Sequence, residues 1–194
     1  MKKHLFLTGL SGCGKTTMIN NALGDRLAVA GGFVTVRMFD NAGKLLGYDM
    51  FPSAAAAGVD GYEGDRFLDY SGETRKHNNE VFRTTGVRLL REAEYYPYAL
   101  IDEFGGFEII IPEFREALLD FLSSDMPIIG VLKAMPNAET LKRRLSLGDK
   151  YVDMLSALTT ALKNDSDTLV LETTGRYDEE AKRIVAAWVN EYVR

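Results

Sequence analysis

Several absences in this 194-residue sequence each remove a class of protein. It holds a single cysteine, Cys13, and two histidines, His4 and His77. One thiol cannot close an intrachain disulfide, and two unclustered imidazoles supply no zinc-type ligand set. Positive charge is not in excess: 23 Lys and Arg against 28 Asp and Glu leave a net −5. The basic footprint of a nucleic-acid or anionic-membrane binder is therefore missing. No run approaches the ~20 apolar residues of a membrane span. The apolar run behind Lys2 and Lys3 breaks at Gly9, too early for a secretory leader. No repeat, low-complexity tract or linker divides the chain. What remains is a single α/β domain over 1–194, large enough to bury a full sheet between two helix layers. The expected compartment is the cytoplasm, the expected state a monomer, and neither nucleic acid nor membrane is expected as a partner.

What is present is concentrated in Gly9-Leu10-Ser11-Gly12-Cys13-Gly14-Lys15-Thr16, followed by Thr17. The spacing G-x-x-x-x-G-K-[ST] is that of the phosphate-binding P-loop, and it lies between a short buried strand (3–8) and a helix (16–24), the context the motif requires. Phosphate oxygens must be met by backbone N–H groups, and Gly9, Gly12 and Gly14 let the chain turn and approach closely. The helix start at Lys15 adds free donors and the positive dipole end. Lys15 suits the β/γ-phosphates, and the Thr16 hydroxyl suits Mg²⁺. Residues 9–17 thus predict a nucleoside triphosphate site, with Cys13 a spacer within it.

The rest of the chain reads as α/β. Gly24 ends the first helix, whose inward residues are Met18, Ile19, Ala22 and Leu23. Residues 33–51 read as a β-hairpin turning at Asp40-Asn41-Ala42-Gly43. Residues 52–79 have no clear period and read as a long loop, a surface excursion or a lid. A helix follows over 80–96, with Val81, Phe82, Leu89, Leu90 and Ala93 inward, and stops at Pro97. The tyrosines Tyr95, Tyr96 and Tyr98 read as a junction packed on the core. Pro112 opens a helix burying Phe114, Leu118, Leu119 and Leu122. Residues 128–132 read as a buried parallel strand and 137–147 as a helix; 168–171 is the last strand and 178–193 the closing helix. The expected architecture is a three-layer P-loop sandwich, its sheet mostly parallel with an antiparallel hairpin.

Tyr98-Ala99-Leu100-Ile101-Asp102-Glu103 is the second landmark. An apolar strand ending in two acids, in a chain with a P-loop upstream, is the Walker B arrangement. Asp102 would lie at the strand's carboxyl end beside Thr16 and Mg²⁺. Glu103 would orient and deprotonate an attacking water. Arg176, between the last strand and last helix, is the candidate transition-state cation. Arg143 and Arg144 could act similarly, or supply a lid contact in a kinase, but a charged pair on a helix reads first as a solvated face. Lys133 stands near the expected site edge, and Glu108 would support Glu103 or the loop after it.

With both landmarks placed, the chain resembles the THEP1-like nucleoside-triphosphatases. The resemblance rests on Gly32-Phe33-Val34-Thr35, on Gly130 to Pro136, on Thr173-Thr174-Gly175-Arg176, and above all on Ile101-Asp102-Glu103-Phe104-Gly105-Gly106-Phe107-Glu108. This last stretch is similar to that family's Asp-Glu-Ile-Gly-Lys-Met-Glu signature. The resemblance implies hydrolysis of ATP, GTP and other nucleoside triphosphates with Mg²⁺. Three positions depart from the pattern: Gly106 stands where the signature has Lys, Leu45 where the hairpin often has Arg, and Gly175 in place of Asn. Two other readings stay open: a P-loop kinase whose 52–79 segment holds an acceptor, and a nucleotide-dependent switch or assembly protein. No base-reading motif of the Asn-Lys-x-Asp kind occurs, so base preference is not indicated.

Overall fold

The computed structural model describes residues 1–58, 63–72 and 76–193. Among these, eight strands form one sheet: β1 (His4–Thr8), β2 (Ala30–Phe39), β3 (Leu45–Pro52), β4 (Asp65–Asp69), β5 (Lys76–His77), β6 (Tyr98–Phe104), β7 (Ile128–Leu132) and β8 (Thr168–Glu172). Their order is β5-β4-β3-β2-β6-β7-β1-β8. The stretch β2-β6-β7-β1-β8 is parallel, and β3, β4 and β5 continue it as an antiparallel wing.

The parallel strands are apolar throughout because both faces are covered. Along β6, Ala99 and Ile101 join one core cluster while Tyr98 and Leu100 join the other. The first cluster lies under α4 (Pro112–Leu122) and α6 (Asp149–Asn164), the second under α1 (Lys15–Leu23) and α7 (Glu179–Tyr192). Helices on both faces of one sheet make the three layers expected. No helix is long and apolar enough to cross a membrane among the described residues.

The structure differs from the sequence reading in five places. Residues 52–79 are not one loop: a 3₁₀ turn (Ser53–Ala57) and strands β4 and β5 occupy its described parts, while 59–62 and 73–75 lie outside the described residues. The β2–β3 hairpin is thus the first half of the antiparallel run β2-β3-β4-β5, in which Asp49 of β3 pairs with Arg66 of β4. The helix over 80–96 is interrupted. α2 (Asn79–Val81) passes through a π-helical segment (Phe82–Gly86) into α3 (Val87–Glu92) and a 3₁₀ turn (Ala93–Tyr95), with the expected inward residues buried. On α4 the buried set is Phe114, Ala117, Leu118 and Phe121, and Leu119 is exposed. That spacing of three and four residues is the stripe an α-helix turns inward. Only Tyr98 of the three tyrosines packs on the core, its hydroxyl donating to the Arg26 carbonyl at 2.8 Å; Tyr95 and Tyr96 face solvent. Finally, the chain after α5 (Met135–Leu145) turns through Ser146 in a left-handed conformation and enters α6, the longest described helix. Tyr151, Leu155 and Leu162 anchor α6 on the sheet.

Candidate nucleotide site

β1 delivers the chain to Gly9, and α1 receives it at Lys15, so residues 9–14 wrap the N-terminus of a helix at the carboxyl edge of the parallel sheet. Such an edge is where open α/β sheets bind ligands. The Lys15 side chain is buried, and its Nζ donates to the carbonyls of Gly9 at 2.9 Å and Leu10 at 2.8 Å. An ammonium held inside the loop by carbonyls is poised to exchange them for phosphate oxygens. Thr16 and Thr17 line the same cavity as Lys15, while Leu10 points to solvent and Cys13 is half-buried.

Two neighbours brace the loop. From α5, Asn137 donates through Nδ2 to the Gly9 carbonyl at 3.1 Å and accepts the Ser11 N–H at 3.3 Å. From the β8–α7 connection, the Arg176 N–H donates to the Cys13 carbonyl at 2.8 Å. Gly175 makes that second contact possible. Its φ is +118°, and a Cβ there would lie 2.1 Å from the Cys13 carbonyl oxygen. Here the backbones of two loops touch, and no side chain fits between them. Gly175→Ala should therefore cost about 2–3 kcal/mol from strain and displaced backbone, and weaken nucleotide binding at least ~10-fold. Thermal melts and nucleotide titration check this; an alanine variant with unchanged melting and affinity would contradict it.

β6 brings Asp102 and Glu103 to the loop. Thr16 Oγ1 donates to Asp102 Oδ1 at 2.6 Å, so the hydroxyl and carboxylate that sequence spacing separates by 86 residues stand in contact. Asp102 is buried, and burial pushes its pKa up from 3.8 to about 6, with the Thr16 hydrogen bond opposing. A buried carboxylate beside a hydroxyl, both hard oxygen donors, fits a small divalent cation such as Mg²⁺, whose charge would offset that desolvation. Glu103 follows in a left-handed conformation, φ 57°, and its Oε1 accepts from Lys133 Nζ at 2.7 Å. Non-glycine residues in this region are held there by their surroundings and concentrate at functional sites. Glu108 is buried: its Oε1 accepts the N–H groups of Gly105 and Gly106, both at 2.7 Å, and fixes the turn after Glu103.

One cavity of about 560 Å³ joins these groups. Its lining includes Gly12, Gly14, Lys15, Thr16, Asp102 and Glu103. Arg176 is not among the lining residues; its guanidinium lies 4.9 Å from the Tyr177 ring centroid, and the side chain is exposed. Arg144 of α5 does line the cavity, as does Arg37 of β2. The sequence favours a solvated face for Arg144, with a nucleotide contact as the alternative, and does not single out Arg37 or Asn137. No motif carries these residues, and only the docking of α5 and the pairing of β2 with β6 bring them to the loop.

The chain is similar to known nucleoside-triphosphatases. The family model described as NTPase matches residues 4–165. The nucleoside-triphosphatase THEP1 of Thermotoga sp. (strain RQ2) is 30% identical over 148 residues, covering 72% of this chain and 80% of that protein. The cancer-related nucleoside-triphosphatase homolog of Mus musculus is 31% identical over 149 residues, covering 70% and 76%. The crystal structure of THEP1 from Aquifex aeolicus shares the fold over 98% of this chain and 99% of that one, with a TM-score of 0.58 at 15% identity. With a P-loop, a Thr–Asp contact and an acid-ended strand in place, the chain belongs to the THEP1-like NTPase family.

Proposed function

We propose that this protein hydrolyses nucleoside triphosphates, ATP and GTP among them, to the diphosphate and phosphate with Mg²⁺ bound at Thr16 and Asp102. The observation that carries the proposal is the 2.6 Å contact of Thr16 with Asp102 beside Lys15 and Glu103 in one cavity. Backbone N–H groups of residues 9–17 and Lys15 hold the phosphates. Mg²⁺, when bound, neutralises charge on the β- and γ-oxygens. Glu103 orients a water in line with the terminal phosphorus and takes its proton as the oxygen attacks. The cation facing the developing charge is better sought in Arg144, already on the cavity wall, than in Arg176, which would have to leave Tyr177.

The experiment is phosphate release from ATP, GTP, CTP and UTP with Mg²⁺ and with a chelator. Release that needs Mg²⁺ and no acceptor supports the proposal. Release insensitive to chelation would contradict the metal assignment, and tight binding without release would contradict hydrolysis.

One observation favours a second reading. The cavity does not end at the loop but runs on to a wall of Phe33, Tyr48, Phe67, Phe82 and Phe107, partly contributed by the wing. Aromatic walls beyond the γ-phosphate end suit a flat acceptor, as a kinase would need. Transfer of labelled phosphate to added nucleosides or nucleoside monophosphates, faster than release to water, would establish that reading instead.

A further inference from the structure

In the signature that residues 102–108 resemble, a lysine stands where this chain has Gly106. A Cβ built on Gly106 would lie 2.5 Å from Glu108 Oε2 and 3.4 Å from Lys133 Cε. Lys133 thus already stands beside the space that a side chain at 106 would enter. It reaches there from the end of β7, where its own N–H donates to the Phe104 carbonyl at 2.9 Å and fixes its backbone against β6. Its Nζ ends 2.7 Å from Glu103 Oε1 on the cavity wall. Its charge also acts on Glu108, whose pKa burial raises and Lys133 partly draws back.

We propose that Lys133 is the positioning residue for Glu103, holding its carboxylate in the cavity beside Asp102 from β7 and standing in for the signature lysine missing at 106. The inference rests on Glu103 acting as the water-orienting group. An ion pair of this kind, with side chains 14% and 33% exposed, contributes little to stability. Its consequence is geometric: Glu103 extends from a backbone in the left-handed conformation, and a carboxylate that wanders by an ångström loses its alignment with water. Gly106 leaves room for the Glu108 carboxylate that fixes this turn, since a Cβ there would lie 2.5 Å from Glu108 Oε2.

The test compares Lys133→Met, Lys133→Arg, the exchange Gly106→Lys with Lys133→Gly, and Glu103→Gln. Each is assayed for kcat, KM and melting temperature. Lys133→Met should lower kcat about tenfold or more with KM within about threefold, because only alignment in the transition state is lost. Its melting temperature should match wild type. Lys133→Arg should regain part of the rate. The exchange, which returns a lysine to position 106, should regain most of it, which a purely structural role for Lys133 would not give. Turnover by Lys133→Met at or above the wild-type rate overturns the inference, as does a loss appearing chiefly in KM. A folded exchange variant no faster than Lys133→Met overturns it too. If the exchange fails to fold, absence of any recovery in Lys133→Arg does the same. Glu103→Gln separates the two levels. An inactive Glu103→Gln beside a fully active Lys133→Met overturns only this inference, whereas a fully active Glu103→Gln overturns the reading on which it rests.

Discussion

Replacing Glu103 with glutamine is expected to reduce phosphate release by at least ~100-fold while leaving nucleotide affinity essentially unchanged, the range by which loss of a general base slows proton transfer. The substitution preserves size and the ability to accept from Lys133, so the local geometry survives. Glutamine also tolerates the φ of 57° no worse than glutamate, since both share the same branching at Cβ. What is lost is the basic oxygen. In the proposed site Lys15 and the backbone of residues 9–17 hold the phosphates, so affinity should not follow rate. Single-turnover release and equilibrium binding of a non-hydrolysable analogue check the two halves separately. Loss of binding alongside rate would show that Glu103 supports the phosphate cradle instead of water.

Asp102→Asn should have the second large effect, and in opposite directions on stability and activity. Burial raises the carboxyl pKa from 3.8 to about 6, which corresponds to roughly 3 kcal/mol of cost for carrying the charge at neutral pH without a cation. Asparagine accepts the Thr16 hydrogen bond without a net charge. The ligand-free variant should therefore melt several degrees above wild type at pH 7. The sign with pH follows from the direction of the shift. A carboxyl whose pKa is higher in the fold than in the unfolded chain costs stability above its folded pKa, and the cost fades as it takes up its proton. The gap between variant and wild type should thus narrow as pH falls from 7 through about 6 towards 4. With Mg²⁺ and nucleotide the order should reverse, because only wild type offers the cation a carboxylate. Turnover in the variant should fall at least ~100-fold. A variant no more stable than wild type at pH 7, or one that keeps its turnover, would contradict the role given to Asp102.

The parts of this site that could be read from the chain are those whose chemistry demands particular residues at fixed local spacing. Gly9, Gly12, Gly14, Lys15 and Thr16 fall within one short stretch, 9–16, because one loop and one helix start must supply them all. Asp102 and Glu103 stand out as acids ending an apolar strand. Lys133 pairs with Glu103 across 30 residues, and Asn137 reaches the P-loop across more than 120, both through helix docking and strand register that no local pattern encodes. The outer wing strands β4 and β5 escaped reading for a different reason. β4 is five residues with an aspartate at each end, β5 only two, and their pairing is fixed by neighbours and not by β-propensity. α6 had a usable signal in Tyr151, Leu155 and Leu162, but Lys150, Asp153 and the threonines Thr159 and Thr160 dilute it. Only packing on the sheet shows which face is buried.

The most direct measurement is turnover of a nucleoside triphosphate with Mg²⁺ in ¹⁸O-labelled water, without acceptor, followed by mass analysis of the products. Attack by water oriented at Glu103 places one solvent oxygen in every released phosphate, leaves the diphosphate unlabelled, and is lost with Glu103→Gln. Phosphate without solvent oxygen, or release that persists at the wild-type rate in Glu103→Gln, would contradict this account.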